Sequence, residues 1–158
     1  MKNESDFQKW ITSKFVNGGA HVQDHRESAL PHIPDMSAAF RGIDYWLELK
    51  HAHVTESDMS DRKKLFEFDH VTAGQLNWLR CRAVAGQARC LLVGCISVEH
   101  SRSYLVAFRP EEYIRLVWRR GVSLSSAAMM STMTDTMSLK TAKDLCTVLL
   151  TAFHKPYT

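Results

Sequence analysis

The pattern of hydrophobic and polar positions changes along the chain and predicts the order of its elements. Apolar residues recur at helical spacing from Phe7 to Phe15, which predicts a first helix capped by Asn3 or Ser5. The turn residues Asn-Gly-Gly at 17–19 would end this helix. The first element is therefore an amphipathic helix with one apolar face.

A polar stretch and two short apolar runs follow the first helix. Residues His21 to Pro34 predict a short extended piece and then an irregular loop. Met36–Phe40 and Tyr45–Lys50 have strand character and are separated by turn residues. These two runs predict a β-hairpin, and Asp35 stands directly before its first strand.

The middle of the chain predicts a helix between a charged stretch and two strands. His51 to His70 lacks the apolar periodicity of a core element, so we expect it to be a surface excursion. A second helix is predicted to begin near Thr72 and to end at Gly86. Cys90–Ile96 and Tyr104–Phe108 then predict two buried strands that pair in one sheet.

Two more helices are predicted near the C-terminus. One begins at Pro110, continues through Trp118 and ends at Gly121, because proline favours the first helical position. The other is predicted to be capped by Ser138 and carries an apolar stripe that ends at Phe153. The mixed order of helices and strands predicts an α/β fold with a central mixed β-sheet flanked by helices.

Composition adds a division of the chain into three parts. Residues 1–120 are expected to form the core, and 121–137 is rich in Ser, Met and Thr, which predicts a flexible or partner-facing segment. Residues 138–158 are expected to form a C-terminal helix that packs on the core or on a dimer partner.

The overall composition excludes some classes of protein. The chain has 158 residues, of which 45% are hydrophobic and 23% charged, as in an ordinary folded domain. Its net charge of +3 permits a polyanionic partner without requiring one. No apolar run reaches about 18 residues, and the N-terminus has no secretory leader pattern, so we expect a cytoplasmic protein without membrane contact. The four cysteines include no CxxC pair and are expected to be buried thiols.

Candidate chemistry lies on the predicted hairpin. Alternation along Tyr45–Lys50 places Trp46, Glu48 and Lys50 on one face. The hairpin would bring Asp35 beside Glu48, so that two carboxylates and one ammonium converge at an end of the sheet. Hard divalent cations such as Mg²⁺ prefer oxygen ligands, and a lysine beside such an ion can orient or help deprotonate a water and offset phosphoryl charge.

These residues resemble a known family. Pro34-Asp35 followed by the triplet Glu48-Leu49-Lys50 resembles the PD-(D/E)xK nuclease superfamily. Downstream, the segment 72–79 with Gln75 in its first turn, followed by the apolar strand at 90–93, resembles VRR-NUC and Holliday-junction-resolvase-like nucleases, including phage-encoded members. The resemblance spans roughly residues 4 to 108.

The resemblance implies a restriction-endonuclease-like core and a nuclease that uses Mg²⁺, with Mn²⁺ as a substitute. It implies DNA as the partner, branched or structured DNA as the favoured substrate, and a homodimer. The residues that it implies for catalysis are Asp35, Glu48, Lys50 and Gln75. The metal ligands that it implies are Asp35, Glu48, the carbonyl of Leu49 and Glu4.

Several alternatives remain open at this point. Asp6 and Glu27 compete with Glu4 as the third acid of the metal site. Glu48 and Lys50 could also be a solvated strand face, and Gln75 a helix-surface amide. The whole chain could then be a catalytically silent nuclease-like module that binds nucleic acid or protein.

Other residues of the chain give weaker indications of function and do not change the interpretation as a nuclease. His51 and His53 could bind a transition metal, but no third ligand follows at a telling spacing. Basic clusters at 62–64, at 80–82 and at 119–120 are candidate contacts to a nucleic-acid backbone. Trp46 and Trp78 are expected to be core or interface anchors. The sequence motifs of P-loop NTPases, zincins, serine hydrolases and zinc deaminases are absent from the sequence.

Overall fold

The computed structural model describes residues 1–60, 65–66, 68–86, 88–99, 102–115, 124–125 and 134–154. The helices are α1 (Glu4–Asn17), α2 (Glu56–Ser60), α3 (Ala73–Ala85), α4 (Pro110–Tyr113) and α5 (Ala142–His154). The strands are β1 (His21–Asp24), β2 (Met36–Phe40), β3 (Ile43–Val54), β4 (Leu65–Phe66), β5 (Arg89–Val98), β6 (Ser103–Phe108), β7 (Leu124–Ser125) and β8 (Thr134–Asp135).

The strands form one large mixed sheet. Within the described residues it has six strands in the order β1-β2-β3-β5-β6-β8, and β4 pairs with β7 in a separate ribbon. Strands β3 and β5 are parallel, and the other neighbours in the large sheet are antiparallel. Helix α3 is part of the crossover that a parallel pair requires. The predicted fold class, an α/β fold with a central mixed sheet flanked by helices, is confirmed.

The predicted hairpin is formed by β2 and β3. Its register pairs Met36 with Leu47 and Phe40 with Ile43, which leaves a two-residue connection. Both connecting residues have positive φ, 52° at Arg41 and 77° at Gly42. Two positive φ angles in succession match the twist of a two-residue hairpin, so the turn fixes the register that brings Asp35 toward Glu48.

Helices cover both faces of the sheet. On one face α1 and α5 pack on β3 and β5, and the fully buried residues there include Phe7, Phe15, Leu47, Leu145 and Leu149. On the other face α3 packs on the same two strands through a cluster that contains Leu79 and Cys90. The sheet therefore forms the middle of three layers, and β3 is covered on both sides.

The charged stretch His51 to His70 is only partly the predicted surface excursion. Strand β3 continues to Val54, because it pairs with β5 over its whole length up to the partners Val54 and Val98. Val54 and Phe68 are buried in a core cluster. The prediction failed because a few apolar side chains anchor a polar segment, which periodicity does not detect.

The C-terminal elements differ from the prediction at one boundary. Helix α5 begins at Ala142, and the hydroxyl of Thr141 accepts from the Asp144 N–H at 3.2 Å, so Ser138 is not its cap. Ser138 instead ends a 3-10 turn and donates its hydroxyl to the Asp135 carbonyl at 2.7 Å. Buried residues of α5 pack in the same cluster as those of α1.

The predicted flexible segment 121–137 is described at 124–125 and 134–137 only. Its last residues are part of regular structure, because β8 pairs with β6 and Thr136 is buried. The predicted continuation of the Pro110 helix through Trp118 to Gly121 lies outside the described residues. No helix in the described part of the chain is long and apolar enough to cross a membrane.

The expectation of four buried thiols is wrong for one cysteine. Cys90, Cys95 and Cys146 are buried, whereas Cys81 is exposed on α3. All four are free. Cys81 stands on an exposed stretch of α3 between Arg80 and Arg82, which are exposed as well.

Candidate active site

Asp35 lies at the point where the loop after β1 enters β2. Its Oδ2 accepts a hydrogen bond from the Leu49 N–H at 2.7 Å. The register that pairs Met36 with Leu47 puts Asp35 opposite Glu48 on the neighbouring strand. The carboxylate is thus tied to the backbone of the strand that carries the predicted Glu-Leu-Lys triplet.

Glu48 and Lys50 form a buried ion pair. Glu48 is 0% exposed and Lys50 is 5% exposed. The Lys50 Nζ lies 2.7 Å from Glu48 Oε1. The two side chains point to the α3 side of β3, as the alternation of the strand predicts. The interpretation of these two residues as a solvated strand face is therefore excluded.

Gln75 connects α3 to this ion pair. Its Oε1 accepts from the Thr72 N–H at 3.0 Å, and its own N–H donates to Thr72 Oγ1 at 3.2 Å, which forms a capping box. Its Nε2 donates to Glu48 Oε1 at 2.5 Å. Because the capping box holds the oxygen of the amide, its nitrogen is left to face the strand. Gln75 and Lys50 thus both bind Oε1 of Glu48.

The three charged groups change one another's protonation. Burial and then the Asp35 charge raise the pKa of Glu48, the Lys50 hydrogen bond and charge oppose them, and together these effects place it at about 7. Burial also raises the pKa of Asp35, although its hydrogen bond from Leu49 and the charge of Lys50 oppose this. Burial lowers the pKa of Lys50, but the hydrogen bond and charge of Glu48 outweigh burial and raise it. Lys50 is therefore an ammonium at neutral pH.

Glu4 is the candidate third acid whose charge acts on this cluster. Loss of hydration at its carboxylate raises the pKa of Glu4, although the residue as a whole is exposed, and the charges of Lys50 and Asp35 act on it in opposite directions. Asp6 instead accepts from the Lys2 N–H at 3.1 Å at the start of α1. Glu27 is exposed and lines a surface cavity with Asp24 and Arg26.

One buried oxygen is consistent with a bound cation. Glu48 Oε2 is buried and has no hydrogen-bond partner, whereas Oε1 accepts from Lys50 and Gln75. A buried carboxylate oxygen without a partner is costly, and a hard divalent cation would satisfy it. The donor set of Asp35 and Glu48 thus fits Mg²⁺ chemically.

The cluster does not supply a complete set of side-chain ligands. Among the described residues, no three His, Cys, Asp or Glu side chains come close enough together to hold a metal ion. A bound ion would therefore take its other ligands from main-chain oxygens and water, as Mg²⁺ commonly does. The carbonyl of Leu49 stays a predicted ligand.

Two residues near the cluster, Arg26 and Phe68, are not among those that the sequence predicted. Arg26 is exposed and pairs with Asp24 at 2.6 Å, and its charge opposes the rise that burial causes in the pKa of Asp35. Phe68 lies against Gly94, which pairs with Lys50 in the sheet register. No sequence pattern pointed to Arg26 or Phe68.

The weaker candidates take other positions. His51 lies on the opposite face of β3 from Lys50, and its Nε2 shares a hydrogen bond with Ser97 Oγ at 3.0 Å. Arg80 and Arg82 are exposed on α3. The basic clusters at 62–64 and at 119–120 lie outside the described residues.

Comparisons with known proteins find similarity among solved structures but not among protein families or curated sequences. The chain matches no protein-family model and no curated protein. Among solved structures it is similar to Hjc, a Holliday junction resolvase from Archaeoglobus fulgidus, with a TM-score of 0.41 and 11% sequence identity over 68% of this chain and 77% of that chain.

Proposed function

We propose that this protein is a metal-dependent nuclease that hydrolyses phosphodiester bonds of DNA at the Asp35, Glu48, Lys50 cluster. The observation that carries the proposal is the state of Glu48. It is 0% exposed, one of its oxygens is held by Lys50 and Gln75, and the other has no partner. A fold gains nothing from such a carboxylate unless it serves a ligand, because burial of an unsatisfied acid destabilises the folded state.

Asp35 and Glu48 would hold Mg²⁺, with Mn²⁺ as a substitute, and the Leu49 carbonyl is the proposed further ligand. Glu4, the third acid that the resemblance implied as a ligand, is proposed to act on the ion through its charge, as it acts on Glu48 and Lys50. When bound, the ion polarises a phosphoryl oxygen and lowers the pKa of a coordinated water. Lys50, as an ammonium, would orient the attacking water and offset charge on the phosphoryl group. Gln75 holds Oε1 of Glu48 at 2.5 Å and thereby fixes the direction of its other oxygen.

The proposed substrate is branched or otherwise structured DNA, and the proposed functional unit is a homodimer. One cluster of this kind cuts one strand, so cutting two strands at a junction needs two copies related by symmetry. The net charge of +3 and the exposed arginines of α3 are compatible with a DNA backbone near the site. Membership of the VRR-NUC nucleases, including phage-encoded ones, is implied by the sequence resemblance and is also proposed.

The experiment is cleavage of labelled single-stranded, duplex, flap and four-way-junction DNA in Mg²⁺, Mn²⁺ or EDTA. The wild type should cut at least one of these substrates only with a divalent ion, and Glu48→Ala should not cut it. The charge-matched control is Asp44→Ala, which removes an exposed acid of the same strand. Cleavage that persists in EDTA, or equally in Glu48→Ala, would refute the proposal.

A catalytically silent DNA-binding module is the second candidate. It is favoured by the lack, among the described residues, of three metal-ligating side chains close together. This candidate predicts DNA binding of equal strength in Mg²⁺ and in EDTA, with no cleavage of any substrate. DNA binding without cleavage would support this candidate instead of the nuclease.

A further inference from the structure

A groove that includes Trp78, His32 and Arg82 in its lining lies along α3, the helix that also carries Gln75 of the candidate active site. Its volume is about 480 Å³, and the residues that line it include His32, Gly74, Asn77, Trp78 and Arg82. None of its lining residues is acidic. Its volume is in the range of small-ligand sites, and its charge suits a polyanion.

Two tryptophans connect the groove to the catalytic cluster, Trp46 through the strand and Trp78 through the helix. Trp46 lies two positions before Glu48 on the same face of β3, which is about 7 Å along a strand. Trp78 lies one helical turn after Gln75 on α3, and Gln75 contacts Glu48. The two tryptophan rings meet with centroids 5.0 Å apart. A strand whose phosphate sits at Glu48 would therefore pass this groove within about one nucleotide.

The two tryptophans have different surroundings. The Trp46 ring is stacked on His25, with centroids 5.2 Å apart and planes 8° apart, and the Arg82 guanidinium lies 5.4 Å from its centroid. Trp46 is thus already packed and supports its neighbour. Trp78 is half-buried and lines the groove, so its ring is the one available to a ligand.

Close packing of His32 against α3 determines the shape of the groove. A Cβ at Gly74 would overlap the His32 ring, so glycine at this position lets His32 lie directly on α3. His32 itself has φ of 63°, in the left-handed region. Asn77 and Arg82 add hydrogen-bonding groups to the same wall. An aromatic face with polar groups at its edge is what stacks and holds a nucleobase.

We infer that this groove binds one unpaired nucleobase of the DNA strand held at the catalytic cluster, by stacking on Trp78 with Arg82 beside it. A paired base in a duplex has both faces covered by its neighbours, so only an unpaired base can use the Trp78 ring. The inference rests on the proposed function for the path of the strand. It adds that the protein recognises unpaired nucleotides next to the bond that is cut.

The test is binding of flap, single-stranded and fully paired DNA in EDTA, where no cleavage occurs. Trp78→Leu should weaken binding of flap and single-stranded DNA by roughly 5- to 150-fold, as expected for one stacked base, and leave duplex binding within about twofold. Arg82→Gln should act in the same direction. The matched controls are Trp10→Leu on α1 and Lys143→Gln on α5, which remove an indole ring and a positive charge from the opposite side of the sheet.

Two results would overturn the inference. One is equal affinity of Trp78→Leu and Trp10→Leu for unpaired DNA, and the other is an equal loss by Trp78→Leu for duplex and unpaired DNA. If Trp78→Leu does not fold, the wild type is titrated with a flap that carries 2-aminopurine at unpaired positions. Stacking should quench its fluorescence, and unchanged fluorescence at every position contradicts the inference.

The outcomes also separate this inference from the proposed function. Binding that depends on Trp78, together with no metal-dependent cleavage, would refute the nuclease and retain the base-binding groove. Metal-dependent cleavage with binding that does not depend on Trp78 would retain the nuclease and refute the groove.

Discussion

The side-chain amide of Gln75 donates a hydrogen bond to Oε1 of Glu48 over 2.5 Å, from a helix to the central strand of the sheet. The same amide closes the capping box of α3 through its oxygen. A single residue therefore fixes both the start of the helix and the orientation of the buried acid. This double role links the stability of the helix to the geometry of the candidate active site.

Gln75→Ala tests that link. We expect it to lower stability by about 1–2 kcal/mol, from the loss of the cap and of one hydrogen bond, and to lower the cleavage rate. Thr72→Ala is the matched control, because it removes the capping hydroxyl and leaves the amide of Gln75 in place. Urea unfolding and single-turnover cleavage measure both effects. An equal loss of rate in the two variants would mean that Gln75 acts only as a helix cap.

Two substitutions at Asp35 should separate the effect of its charge from the effect of its hydrogen bond. Asp35→Asn retains an oxygen that can accept from the Leu49 N–H, so we expect near-normal stability and no cleavage. Asp35→Ala leaves that N–H without its partner and should cost about 1–3 kcal/mol in addition. Equilibrium unfolding of the two variants checks the difference. Active Asp35→Asn protein would remove Asp35 from the metal site.

The pH dependence of metal binding follows from the buried acids. Burial raises the pKa of Glu48 from its ordinary 4.5 to about 7, so the stability that protonation of this group gives is present below pH 4.5 and is lost as the pH rises through about 7. The raised pKa values of Asp35 and Glu4 act in the same direction. Burial lowers the pKa of His51, which has the opposite effect, but this group is on the other face of β3 and acts equally with or without metal.

The rise in Tm on adding Mg²⁺ should therefore be small near pH 5 and grow toward about pH 8, because protons compete with the ion for Glu48. Thermal unfolding in Mg²⁺ and in EDTA over this range measures the difference. A Mg²⁺ effect that does not vary with pH would show that the ion binds elsewhere.

Gly94 should tolerate no side chain while Phe68 is present. A Cβ at Gly94 would overlap the tip of the Phe68 ring, which is buried against the strand. Gly94→Ala should destabilise the protein by about 1–3 kcal/mol, as overpacking does. The same substitution in a Phe68→Leu background should cost less, because leucine lacks the ring tip. Equal costs in the two backgrounds, measured by urea unfolding, would contradict this contact.

The sequence predicted what depends on local pattern. The hairpin, the capped helix at Thr72 and the shared face of Glu48 and Lys50 follow from turn residues, capping residues and alternation. The extension of β3 to Val54 and the burial of Phe68 could not be predicted, because they depend on pairing with a strand distant in sequence. The contact of Gln75 with Glu48 is of the same kind, since spacing places an amide on a helix but not against a particular acid.

The most direct test of the central claim is Mn²⁺ binding, measured by electron paramagnetic resonance of the free ion with wild type, Asp35→Asn and Glu48→Gln. Asp144→Asn on α5 is the control for the loss of one acid elsewhere. The account predicts at least one bound ion for the wild type and the control, and a large loss of affinity in both site variants. Binding that is equal in all four proteins, or absent from the wild type, would contradict a metal site at Asp35 and Glu48.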